Sequence, residues 1–190
     1  MESRRIFAAI DISSEARSRV AAYVANLRRD FEHLRVGWER PEKLHITIRF
    51  AGYLVDEQLR IFTAKAEAAA KAIAPFEVKI FRTGSFIKRK GSNVLWLGLE
   101  AGSLAELSYR FDDPLQNKNE RHRRSFTPHL TIARLREPQK SGELIARHIA
   151  STFEPVSFLV DELVVYESTL SPTGSVHSAV SRQRLRGKLA

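Results

Sequence analysis

The chain has 190 residues and no cysteine, with 43% apolar and 28% charged positions. This is an ordinary globular composition, and it excludes disulfide staples, thiolate zinc sites and cysteine nucleophiles. The formal net charge of +9, with a pI near 10.2, attracts polyanions: RNA first, an anionic membrane surface second. The length suits one compact domain, or two small lobes sharing an interface, with a core large enough to need no covalent staple.

Residues 4–12, "RRIFAAIDI", read as a first strand. Their apolar stretch ends at Asp11, too soon for a secretion signal, and nothing approaches the roughly 18 apolar residues of a membrane span. A cytoplasmic protein with no membrane partner is expected. Ser13 is the expected N-cap of an amphipathic helix that runs toward residue 34. A strand follows over 45–54, and a long Ala-rich helix opens at Asp56 and stops before Pro75. Strands are expected over 76–86 and 93–100, joined by a basic turn holding Lys88, Arg89 and Lys90. A helix from Ala101 to about residue 113 leads into a polar basic loop with Arg121, His122, Arg123 and Arg124. A strand over 128–135, a helix over 141–153 and a long strand or strand pair over 155–169 come next; "SPTG" then signals a turn, and 175–185 return as a strand.

The segment "LHITIRF" sets His45 and Thr47 two residues apart in an apolar run, and "PHLTIAR" repeats the spacing with His129 and Thr131. Each pair precedes a helix and then a similar strand, "PFEVKI" in one copy and "FEPVSFLV" in the other. This is an internal repeat and points to two related, packed lobes. Residues two apart in a strand share a face, so His45, Thr47 and Arg49 line up against Ile46, Ile48 and Phe50 on the core side. His129, Thr131 and Ala133 share the corresponding face, and Arg134 falls on the opposite parity unless the strand ends or bulges there.

If the lobes pair about an approximate two-fold axis, two imidazoles and two hydroxyls line one cleft. One neutral and one protonated imidazole make a general base and a general acid at neutral pH, and threonine hydroxyls can donate to the nonbridging oxygens of a phosphate. In-line displacement at phosphorus needs its acid and base on opposite sides, which two facing strands supply without a metal. The rival readings are a pair of buried structural histidines and a metal site; no HExxH motif and no well-spaced third ligand accompany the histidines. Residue types alone do not say which histidine is the acid.

With these motifs the chain resembles the two-histidine (2H) phosphoesterases, in particular the RNA 2′,3′-cyclic phosphodiesterase branch, also known for 2′-5′ RNA ligase activity. "RRIFAAIDI", "LHITIRFAG", "VLWLGL", "FTPHLTIARL" and "YESTLSPTG" carry the resemblance over nearly the whole chain. It implies an α+β, bilobal fold: two pseudo-symmetric antiparallel-sheet lobes around a central cleft, with helices outside. Residues 1–190 then form a single domain of two interleaved lobes, contributing the motif strands 45–48 and 129–132. The resemblance also implies metal-independent, cofactor-free opening of a 2′,3′-cyclic phosphate to a 2′-phosphomonoester, with 2′-5′ ligation when an RNA 5′-hydroxyl replaces water. By position it makes His45 the proton donor to the leaving O3′ and His129 the proton acceptor from water, with Thr47 and Thr131 on the phosphate. The expected partner is RNA with a 2′,3′-cyclic phosphate end, tRNA fragments included, bound by a monomer. Relatives often carry Pro-Arg before "VLWLG", and a proline and an aromatic after "SPTG"; here "RKGSN" and Ser175, Val176 and His177 stand.

Arg134 is expected to neutralise phosphate charge, with Arg49 and Phe126 as further substrate-binding candidates, Phe126 by stacking on a base. Phe50 and Trp96 are assigned to the core, and His33, His122 and His148 to the surface. The basic residues 88–90, 121, 123 and 124 are candidates for sequence-neutral phosphate contacts. Two rivals remain in view: an RNA-binding module without turnover, and a 2H phosphodiesterase of a small cyclic nucleotide.

Overall fold

A computed structural model describes residues 2–87, 93–111, 126–171 and 174–188. The basic residues at 88–90, Arg121, His122, Arg123 and Arg124, and Pro172–Thr173 of the expected turn, lie outside them. The described elements are β1 (Arg4–Asp11), α1 (Ser14–Asp30), β2 (Val36–Trp38), β3 (His45–Leu54), α2 (Asp56–Ala72), β4 (Phe76–Phe86), β5 (Asn93–Glu100), α3 (Gly102–Tyr109), β6 (His129–Leu135), α4 (Gly142–Ala150), β7 (Val156–Val160), β8 (Glu162–Ser171) and β9 (Gly174–Arg184).

The strands form one sheet in the order β7-β4-β5-β6-β3-β1-β8-β9, with β2 paired to β6, and every pairing is antiparallel. Four strands lie on each side of the β3–β6 junction. The chain crosses between these halves: α2 leads from β3 to β4 on the far side, where β4 pairs with β7 from Phe76↔Val160 to Ile80↔Val156. The final strands of the two sequence repeats therefore meet each other. The 155–169 segment is a strand pair. It breaks at Asp161, whose carbonyl accepts the Leu185 N–H at 2.8 Å.

One buried rung runs across the middle of the sheet: Ile10↔Ile46, Ile46↔Leu130 and Leu130↔Leu97, none more than 1% exposed. Each such side chain contributes roughly 1.5–3 kcal/mol by leaving water. The helices cover this face. α1 presents Ala16, Val20, Val24 and Leu27 at near-helical spacing, and the Ser13 hydroxyl caps it by accepting the Ala16 N–H at 3.1 Å. α1 stops at Phe31 rather than residue 34, because the chain turns into β2 to cover the edge of β6. That three-residue strand is too short, and holds too central a glycine, to announce itself in the sequence.

The opposite face is concave. β9 lies three strands from β3, about 14 Å away in a flat sheet. Yet the rings of His177 on β9 and His45 on β3 are 5.3 Å apart. The Lys43 ammonium, just before β3, also donates to the Ser175 carbonyl on β9. The sheet curls strongly enough to bring its far strand back over its middle.

Candidate active site

The antiparallel register centred on Ile46↔Leu130 places His45 opposite Thr131 and Thr47 opposite His129. All four side chains leave the core-side rung for the concave face. The two histidines are diagonal neighbours, a relation that sets side-chain origins about 7–8 Å apart.

Each imidazole is fixed the same way. His45 Nδ1 meets the Lys43 carbonyl at 2.7 Å, and His129 Nδ1 meets the Thr127 carbonyl at 2.7 Å. A carbonyl can only accept, so Nδ1 carries the hydrogen in both rings and Nε2 is the nitrogen available for proton transfer. Burial is the main cause that holds both histidines below the ordinary imidazole pKa, and the Arg134 charge acts in the same direction. The hydrogen bond to the backbone carbonyl opposes this in each, and for His45 so do Glu39 and Asp11.

Both strands bulge immediately after the threonine. In β3 the partners of β1 step from Thr47 to Arg49, bypassing Ile48; in β6 the partners of β5 step from Thr131 to Ala133, bypassing Ile132. The bulge reverses the alternation beyond it. Arg134 therefore turns onto the concave face, where its Nε lies 3.2 Å from the Glu39 carboxylate and its side chain is 57% exposed. Arg49 turns the other way, paired with buried Ala8, so it does not share the His45 face as simple alternation predicts. Phe50 takes the position in β3 that Arg134 takes in β6. It is 52% exposed rather than core, with the Arg5 guanidinium 4.8 Å from its ring.

Trp96 also departs from its core assignment. It pairs with Thr131 and with Gly84, on the concave face. Its indole lies across Gly84 so closely that a Cβ there would sit 2.2 Å from the ring, which is why a glycine occupies that position. Trp96 and Phe86 flank His129, with ring centroids at 6.4 Å and 5.0 Å. Phe126 is half-buried and packs against the core.

A cavity of about 440 Å³ opens beside His45 and Thr47 and is bounded by Arg5, Phe7, Phe50 and Arg134, among others. His129 and Thr131 do not bound this cavity; the ladder, not the cavity wall, joins them to the site. Among the described residues no group of three or more His, Asp or Glu side chains is placed to hold a metal ion.

Residues 14–171 match the family described as the 2′-5′ RNA ligase superfamily. The chain belongs to that superfamily. A protein of Methanocaldococcus jannaschii named RNA 2′,3′-cyclic phosphodiesterase is 26% identical over 179 residues, covering 93% of this chain and 98% of the relative. One of Methanothermobacter thermautotrophicus with the same name is 28% identical over 185 residues, covering 95% and 98%. Among solved structures, that of the Thermus thermophilus protein TT0787 superposes with a TM-score of 0.76 at 24% identity, covering 97% of this chain and 100% of that one. Escherichia coli LigT in its apo form superposes with a TM-score of 0.72 at 21% identity, covering 97% and 98%. These likenesses establish the α+β fold of this superfamily member: a curled antiparallel sheet with helices on its outer face.

Within that superfamily fold, three features lie beyond simple motif reading. His148 is not on the surface: it is 0% exposed. Its Nε2 lies 3.1 Å from the carbonyls of both Gly84 and Trp96, and Nδ1 is 2.8 Å from the Tyr23 hydroxyl. The Gly84 N–H also meets Nε2, at 3.3 Å; the two shorter contacts are to carbonyls, which can only accept, and they place the hydrogen on Nε2 and leave Nδ1 to accept from Tyr23. Its only sequence signal is position: residues 144 and 148 fall on one face of α4, and both are buried. Tyr166 donates to Asp11 at 2.8 Å, beside His45 in the ladder, and burial with the Asp11 charge pushes the phenol up to about 12. His177 reaches His45 only through the curl of the sheet, which no local pattern encodes.

Proposed function

We propose that this chain is a metal-independent RNA 2′,3′-cyclic phosphodiesterase, the activity for which its curated relatives are named. The observation that carries the reading is the register about Ile46 and Leu130, which sets two identically tethered imidazoles diagonally across one concave surface.

Water attacks phosphorus in line with O3′. His129 Nε2 takes a proton from the water as its oxygen bonds to phosphorus. The P–O3′ bond breaks, and protonated His45 delivers the Nε2 hydrogen to O3′. The products are a 2′-phosphomonoester and a free 3′-hydroxyl; His45 ends neutral and His129 protonated, and exchange with solvent resets the pair. Because Nδ1 of each ring is committed to a carbonyl, the mobile proton stays on the cleft-facing nitrogen throughout. Thr47 and Thr131 donate to nonbridging oxygens as charge builds there. Arg134, steadied by Glu39, offers its remaining guanidinium hydrogens to the phosphate. An RNA 5′-hydroxyl in the place of water gives a 2′-5′ linkage through the same site.

The net charge of +9 suits an RNA end, tRNA fragments among them, and no described helix is long and apolar enough to cross a membrane. The same reading has the chain act as a cytoplasmic monomer, a single domain of two interleaved lobes. A module that only binds RNA would not need the repeated Nδ1–carbonyl tether. The test is turnover of RNA ending in a 2′,3′-cyclic phosphate, in EDTA, with the product phosphate located. Release of a 2′-phosphate supports the reading; no turnover, or activity restored only by added metal, removes it.

A further inference from the structure

The histidine that the proton-transfer scheme leaves unused is His177. It stands on β9 opposite Ser168, and its ring meets His45 edge-to-face at 5.3 Å and Phe7 at 5.0 Å. Besides the 440 Å³ cavity, a second cavity of about 340 Å³ lies beside His45, with Asp11, Lys43, Tyr166 and Arg182 in its wall. His45 and His177 are the residues that the two cavities share, so together they form the partition between them.

His177 differs from the two motif histidines in one decisive respect. Their Nδ1 atoms are tied to backbone carbonyls, whereas neither ring nitrogen of His177 has a hydrogen-bond partner among the described residues. Burial, followed by the charges of His45, Lys43, Arg5 and Arg134, lowers its pKa to about 4. It is therefore neutral at neutral pH, and it offers one N–H donor and one lone pair to whatever enters the cavities. A neutral, untethered imidazole suits hydrogen bonding to an uncharged polar group better than proton transfer or phosphate binding.

Its place in the sheet says which group. In the proposed reaction His45 protonates O3′, so the ribose lies on the His45 side of the phosphorus and the attacking water on the His129 side. Beyond His45, on the flank away from β6, stands His177. We propose that His177 is a substrate-specificity residue that hydrogen-bonds the nucleoside of the terminal nucleotide, at the partition between the two cavities. This rests on the cyclic-phosphodiesterase reading of the site.

The test compares a nucleoside 2′,3′-cyclic phosphate with ethylene phosphate, a five-membered cyclic phosphate that has no nucleoside. His177→Phe keeps an aromatic ring against Phe7 and His45 while removing both nitrogens; His177→Gln keeps a donor and an acceptor while removing the ring. The ratio of kcat/KM for the nucleoside substrate over ethylene phosphate should fall about three- to tenfold in His177→Phe, the size of one lost neutral hydrogen bond. The fall should reside in KM and should be smaller in His177→Gln. An unchanged ratio in His177→Phe overturns the proposal. So does a fall confined to kcat with a displaced limb of the pH profile, which would make His177 a positioning residue for His45. If the wild-type chain turns over neither substrate, the reading of the whole site fails first, so the two failures are distinguishable.

Discussion

The two halves of the site share a backbone and differ in their walls. Each contributes a histidine tethered through Nδ1 to the carbonyl two residues before it, a threonine two residues after it, and a bulge just beyond. The fifth residue after each histidine then faces the cleft: Phe50 in β3, Arg134 in β6. His45 is enclosed by Phe7 and His177, with Asp11 and Glu39 acting on it; His129 is flanked by Phe86 and Trp96. In the proposed reaction the repeated backbone duplicates a proton-transfer unit, and the unlike walls give one copy the leaving group and sugar, and the other the water and the phosphate charge.

The largest effects should fall where the halves are alike. His45→Ala and His129→Ala should each lower kcat by about 10²–10⁴-fold with circular dichroism unchanged, since each removes one partner of an acid–base pair. If either variant keeps near wild-type kcat on cyclic-phosphate RNA, the two copies do not act as a pair. Thr47→Val and Thr131→Val, which remove hydroxyl donors with little change of shape, should each cost about 10²-fold in kcat. A loss in only one of them would make phosphate binding one-sided.

Smaller effects should appear where the halves differ. Arg134→Ala should raise KM about ten- to a hundredfold, as expected for losing charged hydrogen bonds, while Arg49→Ala should change KM less than about twofold. Equal effects from the two arginines would contradict the bulge-reversed alternation. The smallest effect concerns stability. His148 is buried, and desolvation lowers its pKa from 6.5, against the pull of the Trp96 and Gly84 carbonyls. The unfolded chain then binds more protons as pH falls below about 6.5, so folded stability is greatest above that value and declines toward the lowered folded pKa. Tm should fall between about pH 6.5 and 5. His148→Gln should make that slope shallower without abolishing it, because His45, His129 and His177 are depressed in the same direction. A Tm that rises toward pH 5 would contradict the buried neutral imidazole.

Much of this was legible in the sequence because alternation and repetition are local. Ile46 and Leu130 had to face a core if His45, Thr47, His129 and Thr131 faced a site. Chain order gave the strands and helices apart from β2. What escaped depends on long-range geometry or on one-residue irregularities. Strict alternation put Phe50 in the core and Arg49 in the cleft, and a single bulged residue at Ile48 exchanged them. The same irregularity at Ile132 resolves the parity of Arg134. Trp96 looked like core because its strand is apolar, but its side chain lies across a glycine on the concave face. His148 looked like a surface helix residue because its partners, Gly84, Trp96 and Tyr23, are remote in sequence.

In the proposed division of labour, His45 gives the proton to the leaving oxygen and His129 takes one from the attacking group. A substrate with sulfur in place of O3′ tests it most directly, because a thiolate leaves without being protonated. Single-turnover rates should show His45→Ala restored to near the wild-type rate on the sulfur substrate, with His129→Ala still slow. Restoration of His129→Ala instead, or of neither variant, would contradict the assignment.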